Sequence, residues 1–134
     1  MVIFATSDPH GNRIIMEKLP RTAAKADLLL LCGDIGNKET SGRTLMQFSE
    51  HQKADAVYLS DVFRRLSVPA RFILGNDDWF DIEDNPYYLT QPEQIRDIRL
   101  IPFEYVLYTP FSTNREVNEN NMCSTAPVTI PTTD

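Results

Sequence analysis

The sequence is poor in histidine, cysteine and long hydrophobic runs. Its 134 residues include only two histidines and two cysteines. Cys32 and Cys123 form no CxxC motif, so no disulfide framework is predicted, and Cys32 is expected to be a small buried hydrophobic residue. The longest apolar run, at residues 28–32, is too short to span a bilayer. Because the N-terminus has no basic region before Asp8, no signal peptide is predicted, and we expect a cytoplasmic protein without a membrane partner.

The sequence also lacks an excess of basic residues. Its 13 Lys and Arg stand against 19 Asp and Glu, which gives a formal net charge of −6. Nucleic-acid binding needs clustered basic residues, so a nucleic-acid partner is not expected. The hydrophobic fraction of 42% is typical of a folded protein and not of a disordered one. We predict one domain over residues 1–116 and a mobile tail over residues 117–134, where Asn, Thr, Ser and Pro dominate.

Three continuous apolar runs, at residues 2–5, 28–32 and 71–74, predict short buried strands. Helical patterns separate them at residues 12–19 and 41–66. The resulting βαβαβ order is typical of the α/β class, with parallel strands joined by crossover helices. A receiver-type fold suits the length, but it requires the alternation to continue past residue 80, where a proline-rich stretch interrupts it.

The pattern changes after the third predicted strand. Residues 77–92 are rich in acids, aromatics and proline and predict a long loop of the kind that is often functional. A short helix is predicted at residues 94–98, and strands at residues 99–101 and 105–109. The loop aromatics either line a substrate pocket or cover the end of the sheet; they are Trp79, Phe80, Tyr87 and Tyr88.

Polar side chains follow each predicted strand at its carboxyl end. They are Asp8 and His10 after the first strand, Asp34 after the second, and Asn76, Asp77 and Asp78 after the third. In a parallel sheet these loops meet at one crevice. Two carboxylates ~4 Å apart repel by roughly 4 kcal/mol at an effective dielectric of ~20, so a cation is expected between them. Oxygen ligands with one imidazole suit Mn, Fe, Zn or Mg. The alternative for each loop taken alone is a simple turn or helix cap.

Three segments resemble the signatures of the calcineurin-like metallophosphoesterases. Residues 7–12 (SDPHGN) resemble D-x-H, residues 33–37 (GDIGN) resemble G-D-x-x-D, and residues 75–78 (GNDD) resemble G-N-H-D/E. The resemblance covers roughly residues 1–116. It implies the N-terminal part of an α/β/β/α sandwich with a mostly parallel βαβαβ core.

The resemblance also implies a chemistry. Asp8 and His10 would bind a first divalent metal ion, Asp34 would bridge it to a second, and Asn76 would bind the second ion and a substrate phosphate oxygen. A hydroxide that bridges the metals would attack the phosphorus of a small phosphomonoester or phosphodiester. The implied catalytic residues are Asn76 and Asp77.

The departures from the family pattern leave two alternatives open. Asp77 stands where the family has His, and Asn37 stands where it has Asp. Asp77, kept protonated by neighbouring acids, either replaces the His as the proton donor or only caps its loop.

The family also continues into a second half with further histidine ligands. This chain has no histidine after Gly75, and His51 is expected to lie on a helix without a ligand role. The alternative function is therefore a truncated or degenerate domain that binds metal or serves assembly without catalysis. Half of a sandwich leaves one apolar sheet face uncovered, so we expect self-association or a partner chain that covers this face.

Overall fold

The computed structural model describes residues 1–104. Strands β1 (Ile3–Thr6), β2 (Leu28–Cys32) and β3 (Ala70–Ile73) form a parallel sheet in the order β1-β2-β3. Helix α1 (Arg13–Ala23) joins β1 to β2, and helix α2 (Leu45–Phe63) joins β2 to β3. The predicted α/β class and βαβαβ order are confirmed. No helix among the described residues is long and apolar enough to cross a bilayer.

Both helices pack against the same face of the sheet. Leu29 and Leu31 of β2 and Phe72 of β3 point to this face and lie at most 1% exposed. They contact a core that includes Met16 of α1 and Leu59 of α2, both fully buried. Burying an apolar side chain of this size contributes about 1.5–3 kcal/mol, so this layer is the main source of stability for the strands that carry the loops.

The opposite face of the sheet is only partly covered by the described residues. Ile3 is 40% exposed there, and Leu30 and Ile73 are half-buried. An apolar cleft of about 120 Å³ opens between this face and the segment around Leu100. The prediction that Cys32 is buried is wrong: its side chain is exposed, because it points away from the helices at the end of β2.

The helix ends differ from the predicted ones for reasons of capping. The Asn12 side chain accepts a hydrogen bond from the Ile15 backbone N–H at 3.2 Å, and α1 begins just after it. Helix α1 continues through Pro20 to Ala23, although proline removes one backbone hydrogen bond, and Leu19 and Ala23 on either side of it are buried in the core. Thr44 forms a capping box with Gln47, which delays the start of α2.

The segment after β3 is a loop as predicted, but the predicted helix at residues 94–98 is wrong. Strands β4 (Glu93–Ile95) and β5 (Ile98–Leu100) form an antiparallel hairpin instead. Arg96 adopts a φ of 54° in the turn, and Ile95 is 8% exposed. A buried side chain and a left-handed turn residue favour a hairpin over a helix. The strand predicted at residues 99–101 corresponds in part to β5.

The loop aromatics mostly cover the sheet. Phe80 is 3% exposed in the core, and Tyr88 stacks on Phe72 with 5.5 Å between the ring centroids. Trp79 remains 36% exposed. The strand predicted at residues 105–109, the last part of the 1–116 domain and the tail at residues 117–134 lie outside the described residues.

Candidate metal centre

The three strands end at one edge of the sheet, and a loop follows each of them there. We define loop 1 as residues 7–12, loop 2 as residues 33–44 and loop 3 as residues 74–92. Because parallel strands present their carboxyl ends together, the loops meet at this edge. Every predicted site residue lies in one of these loops.

Loop 1 runs alongside loop 2 and continues the hydrogen bonding of the sheet. The backbone N–H of Asp8 donates to the carbonyl oxygen of Gly33 at 3.1 Å, and that of His10 donates to the carbonyl oxygen of Asp34 at 3.0 Å. The relative positions of these three predicted ligands are thus set by backbone hydrogen bonds, which are more rigid than contacts between exposed side chains.

Two signature glycines allow loops 2 and 3 to approach closely. A Cβ atom on Gly33 would lie 2.6 Å from the Cα of Gly75, and Gly33 has a φ of +91°. A Cβ atom on Gly75 would lie 2.1 Å from an Asp34 carboxylate oxygen. Both distances are shorter than nonbonded contact allows, so any side chain at either position would push Asp34 away from loop 3.

The side chains of Asp8, His10 and Asp34 converge. Each offers one ligand atom, and the three atoms lie within 4.8 Å of one another. His10 Nε2 lies 3.5 Å from Asp8 Oδ1. His10 Nδ1 is buried and has no hydrogen-bond partner among the described residues. Two carboxylates and one imidazole with this spacing fit a divalent cation, and the unpartnered Nδ1 leaves a second imidazole nitrogen able to take up a ligand or a proton.

The backbone of the same three residues is in a strained conformation. Asp8, His10 and Asp34 have φ values of 58°, 44° and 55°. Such left-handed residues other than glycine cost of order 1–3 kcal/mol each and persist where the surroundings hold them. The packing of the three loops therefore stabilises a backbone conformation that is unfavourable in an isolated loop. This conformation brings the three ligand atoms together.

Burial and neighbouring carboxylates shift the pKa values of the clustered acids. Burial raises the pKa of Asp34 above its ordinary value, and the carboxylates of Asp77, Asp78 and Asp8 raise it further. The Asp77 backbone N–H, which donates to Asp34 Oδ1 at 3.0 Å, opposes these effects. A hydrogen bond with Ser7 is the main cause that lowers the pKa of Asp8. A bound cation would offset the repulsion that Asp34 experiences.

Asp77 lies next to this cluster, and Asn76 precedes it in loop 3. Asp77 contacts Lys38, which the sequence analysis did not predict as a site residue. The Asn76 amide donates to Asp77 Oδ1 at 3.3 Å. The other oxygen of Asp77 forms an ion pair with Lys38 Nζ at 2.8 Å. Lys38 follows the second signature directly, but no spacing rule marks a lysine there. Its ammonium group gives the site a positive charge opposite the Asp8–His10–Asp34 group.

Asp78 is part of the acidic cluster in sequence but serves as an anchor in the structure. Its carboxylate is buried and accepts hydrogen bonds from the backbone N–H groups of Ile35, Gly36 and Gly75 at 3.1, 2.9 and 2.8 Å. Burial raises its pKa, and the hydrogen bonds from the backbone oppose that effect. Asp78 therefore ties loop 3 to loop 2, which keeps Asp34 beside Asp77.

Gln52 of α2 is a second anchor that sequence reasoning missed. It is fully buried, and its amide donates to the carbonyl oxygens of Asn37 at 3.1 Å and Asp77 at 2.8 Å. Its carbonyl oxygen accepts the Trp79 backbone N–H at 2.8 Å. A glutamine in the middle of a helix carries no local signal of this role, because its partners lie in loops distant along the chain.

Asn37, which stands at one departure from the family signature, has a role in loop structure. Its side-chain oxygen accepts the Glu39 backbone N–H at 2.7 Å, so it shapes its own loop. Its backbone N–H donates to Asp55 of α2 at 3.0 Å. His51, also on α2, is half-buried and does not belong to the metal-ligand group found in residues 1–104.

A parallel sheet with acidic loops at its carboxyl edge and a convergent Asp–His–Asp group defines an α/β domain suited to divalent metal ions. The sequence matches the calcineurin-like phosphoesterase family over residues 1–120, and the chain therefore belongs to that family. No curated protein and no solved structure matches it significantly. Members of the family are generally hydrolytic phosphoesterases that bind divalent metals.

Proposed function

We propose that this protein is a divalent-metal-dependent phosphoesterase that hydrolyses a small phosphomonoester or phosphodiester. The observation that carries the proposal is the convergence of Asp8, His10 and Asp34 within 4.8 Å in a chain of this family. The reaction adds water across the ester: a new P–O bond forms, the P–O bond to the leaving group breaks, and the leaving group takes up a proton.

Each site residue has a role in this proposal. Asp8 and His10 would hold one ion, Asp34 would serve that ion and a second, and Asn76 would serve the second ion and donate a hydrogen bond to a phosphate oxygen. When bound, the ions supply a hydroxide nucleophile near neutral pH and neutralise the charge that develops on phosphorus. The backbone hydrogen bonds between loops 1 and 2 hold Asp8 and His10 in place before the ion arrives, so ligand ordering costs little.

The role of Asp77 is proposed as positioning. Its carboxylate lies 2.8 Å from Lys38 Nζ, and its backbone N–H donates to Asp34. An Asp77 oxygen that accepts a hydrogen bond from the Lys38 ammonium group is not placed to donate one to a leaving group. The ion pair therefore supports the positioning role, in which the Asp77 carboxylate holds Lys38 near the phosphate. It speaks against the alternative, in which a protonated Asp77 replaces the family's histidine.

The proposal is tested by metal reconstitution. The chain is freed of metal with a chelator, supplied with Mn²⁺, Fe²⁺, Zn²⁺ or Mg²⁺, and assayed on p-nitrophenyl phosphate and bis(p-nitrophenyl) phosphate. We expect hydrolysis with at least one ion and a loss of about 100-fold or more in Asp34→Asn, since that change removes the shared ligand. The matched control is Asp61→Asn, an exposed residue of α2 that pairs with Arg64. Equal rates for wild type and Asp34→Asn would contradict the proposal.

A second candidate is a metal-binding module without catalysis. The residue Asp77 favours it, because it stands where the family's third signature places a histidine. Stoichiometric metal binding by calorimetry together with no turnover of either ester would support this candidate. Turnover that requires Asp34 would exclude it.

The partly exposed face of the sheet supports self-association as a further part of the proposal. Ile3 is 40% exposed there, and Leu30 and Ile73 help to line the apolar cleft of about 120 Å³ on the same face. We expect light scattering to show a dimer or larger species, because a second copy would bury this apolar surface. The change Ile3→Lys is expected to shift the protein toward a monomer. A wild-type protein that is monomeric at micromolar concentration would contradict this expectation.

A further inference from the structure

A small cleft opens on the Lys38 side of the site. Its volume is about 90 Å³, and it is lined by Lys38, Thr40, Phe48, Asp77 and Trp79. These residues come from loop 2, the first turn of α2 and loop 3. The cleft therefore combines one ammonium group, one hydroxyl, one carboxylate and two aromatic rings.

Asp77 connects this cleft to the metal-binding group. Its side chain lines the cleft and pairs with Lys38, while its backbone N–H donates to the Asp34 carboxylate at 3.0 Å. Lys38 in turn lies close enough to Asp8 and Asp34 for their charges to raise its pKa, after the larger effect of Asp77. A phosphate ester held at the Asp8–His10–Asp34 group would thus have the cleft as a neighbour.

The two aromatic rings of the cleft are held differently. Phe48 is 7% exposed and belongs to the packing of α2. Trp79 is 36% exposed, although Gln52 fixes its backbone through a hydrogen bond of 2.8 Å. The backbone of Trp79 is therefore anchored, while about a third of the residue's surface is accessible and the residue lines the cleft. A ring of this kind offers a flat surface on which another planar ring can stack at low entropic cost.

We propose that this cleft binds the group esterified to the phosphate, and that it favours a group with a planar aromatic ring. In this arrangement Trp79 stacks on the ring and Lys38 faces the phosphate. The substrate class is then an aryl or heteroaryl phosphate ester. This inference rests on the proposed function, since it assigns the organic part of the same substrate.

The test uses Trp79 itself as the reporter, because it is the only tryptophan of the chain. The metal-loaded protein, with Mg²⁺ or Zn²⁺, is titrated with phenylphosphonate and with methylphosphonate while Trp79 fluorescence is recorded. Stacking on aromatic side chains typically strengthens binding by about tenfold or more. We therefore expect phenylphosphonate to change the fluorescence and to bind about tenfold more tightly than methylphosphonate.

Variants of Trp79 test whether its ring, and not the rest of the site, causes the preference for phenylphosphonate. In Trp79→Ala, calorimetry should give nearly equal affinities for the two phosphonates, whereas Trp79→Phe should restore most of the preference. Metal affinity should not change in either variant, since neither touches Asp8, His10 or Asp34. The matched control is Met46→Ala, an apolar residue of the same helix turn as Phe48 that is 78% exposed. It should behave as wild type.

The outcomes distinguish this inference from the proposed function. Ester hydrolysis with equal affinity for the two phosphonates would overturn the inference and leave the phosphoesterase proposal intact. A clear preference for phenylphosphonate without hydrolysis of any ester would support the cleft as a ring-binding site and contradict catalysis. A preference that persists in Trp79→Ala would also overturn the inference.

Discussion

The two sides of the candidate site are built in different ways. On one side Asp8, His10 and Asp34 take left-handed backbone conformations and are positioned by backbone hydrogen bonds between loops 1 and 2. On the other side a single ion pair joins Lys38 to Asp77, and the lysine side chain is 55% exposed. The first side is a set of electron donors on a backbone held by hydrogen bonds, although the Asp8 side chain is as exposed as that of Lys38, and such a set suits a metal ion. The second is a positive charge that can exchange its partner, which suits an anion that comes and goes.

The largest loss of ligand binding should come from removing a residue of the fixed side, that of Asp8, His10 and Asp34. His10→Ala removes the one imidazole of the group and is expected to weaken divalent-metal binding by about 100-fold or more, measured by calorimetry. A well-matched control exists, because the chain has only one other histidine. His51→Ala, on α2, should bind metal as the wild type does.

The two histidines also allow a direct spectroscopic check of this side. In proton NMR of the wild type, addition of Zn²⁺ should shift the imidazole signals of His10 and leave those of His51 in place. Equal losses of metal affinity in the two alanine variants, or a shift of both histidines, would mean that the Asp8–His10–Asp34 group is not the metal site. The proposed difference between a metal-binding side and an anion-binding side would then be wrong.

The two sides also differ in how well the sequence predicted them. Strand ends followed by Asp8, His10 and Asp34 are local patterns, and parallel topology brings them together. Lys38 reaches Asp77 across 39 positions of sequence, and Gln52 bonds to Asp77 across 25. Contacts of this kind depend on how loops fold over a helix, which no local periodicity encodes.

The same reasoning explains the errors elsewhere in the fold. The alternation of β4 and β5 is too short to distinguish from one helical turn, and the left-handed Arg96 is not a residue that signals a hairpin. Cys32 ends an apolar run, and whether its side chain faces the helices or the open side depends on its place in the two-residue period of the strand. Composition alone does not reveal that place.

A smaller change in ligand binding should come from removing Lys38 on the other, exchangeable side. This change should weaken the binding of anions and strengthen that of cations. Lys38→Met removes a positive charge beside Asp77, Asp34 and Asp8. We expect weaker binding of methylphosphonate, by about tenfold or less because Lys38 is largely exposed, together with slightly tighter binding of the divalent ion. Calorimetry with each ligand measures both changes on the same preparation.

The control for this experiment is Lys25→Met, which removes the same charge from an exposed position just after α1 and outside the three loops of the site. It should leave both affinities unchanged, since solvent and salt screen the charge of an exposed lysine outside the site. If Lys38→Met weakened the binding of both ligands, the role of the lysine would be to stabilise the loop structure and not to bind the anion. If it weakened neither, the ion pair with Asp77 would be an ordinary surface contact, and the positive side of the site would have to come from the bound metal alone.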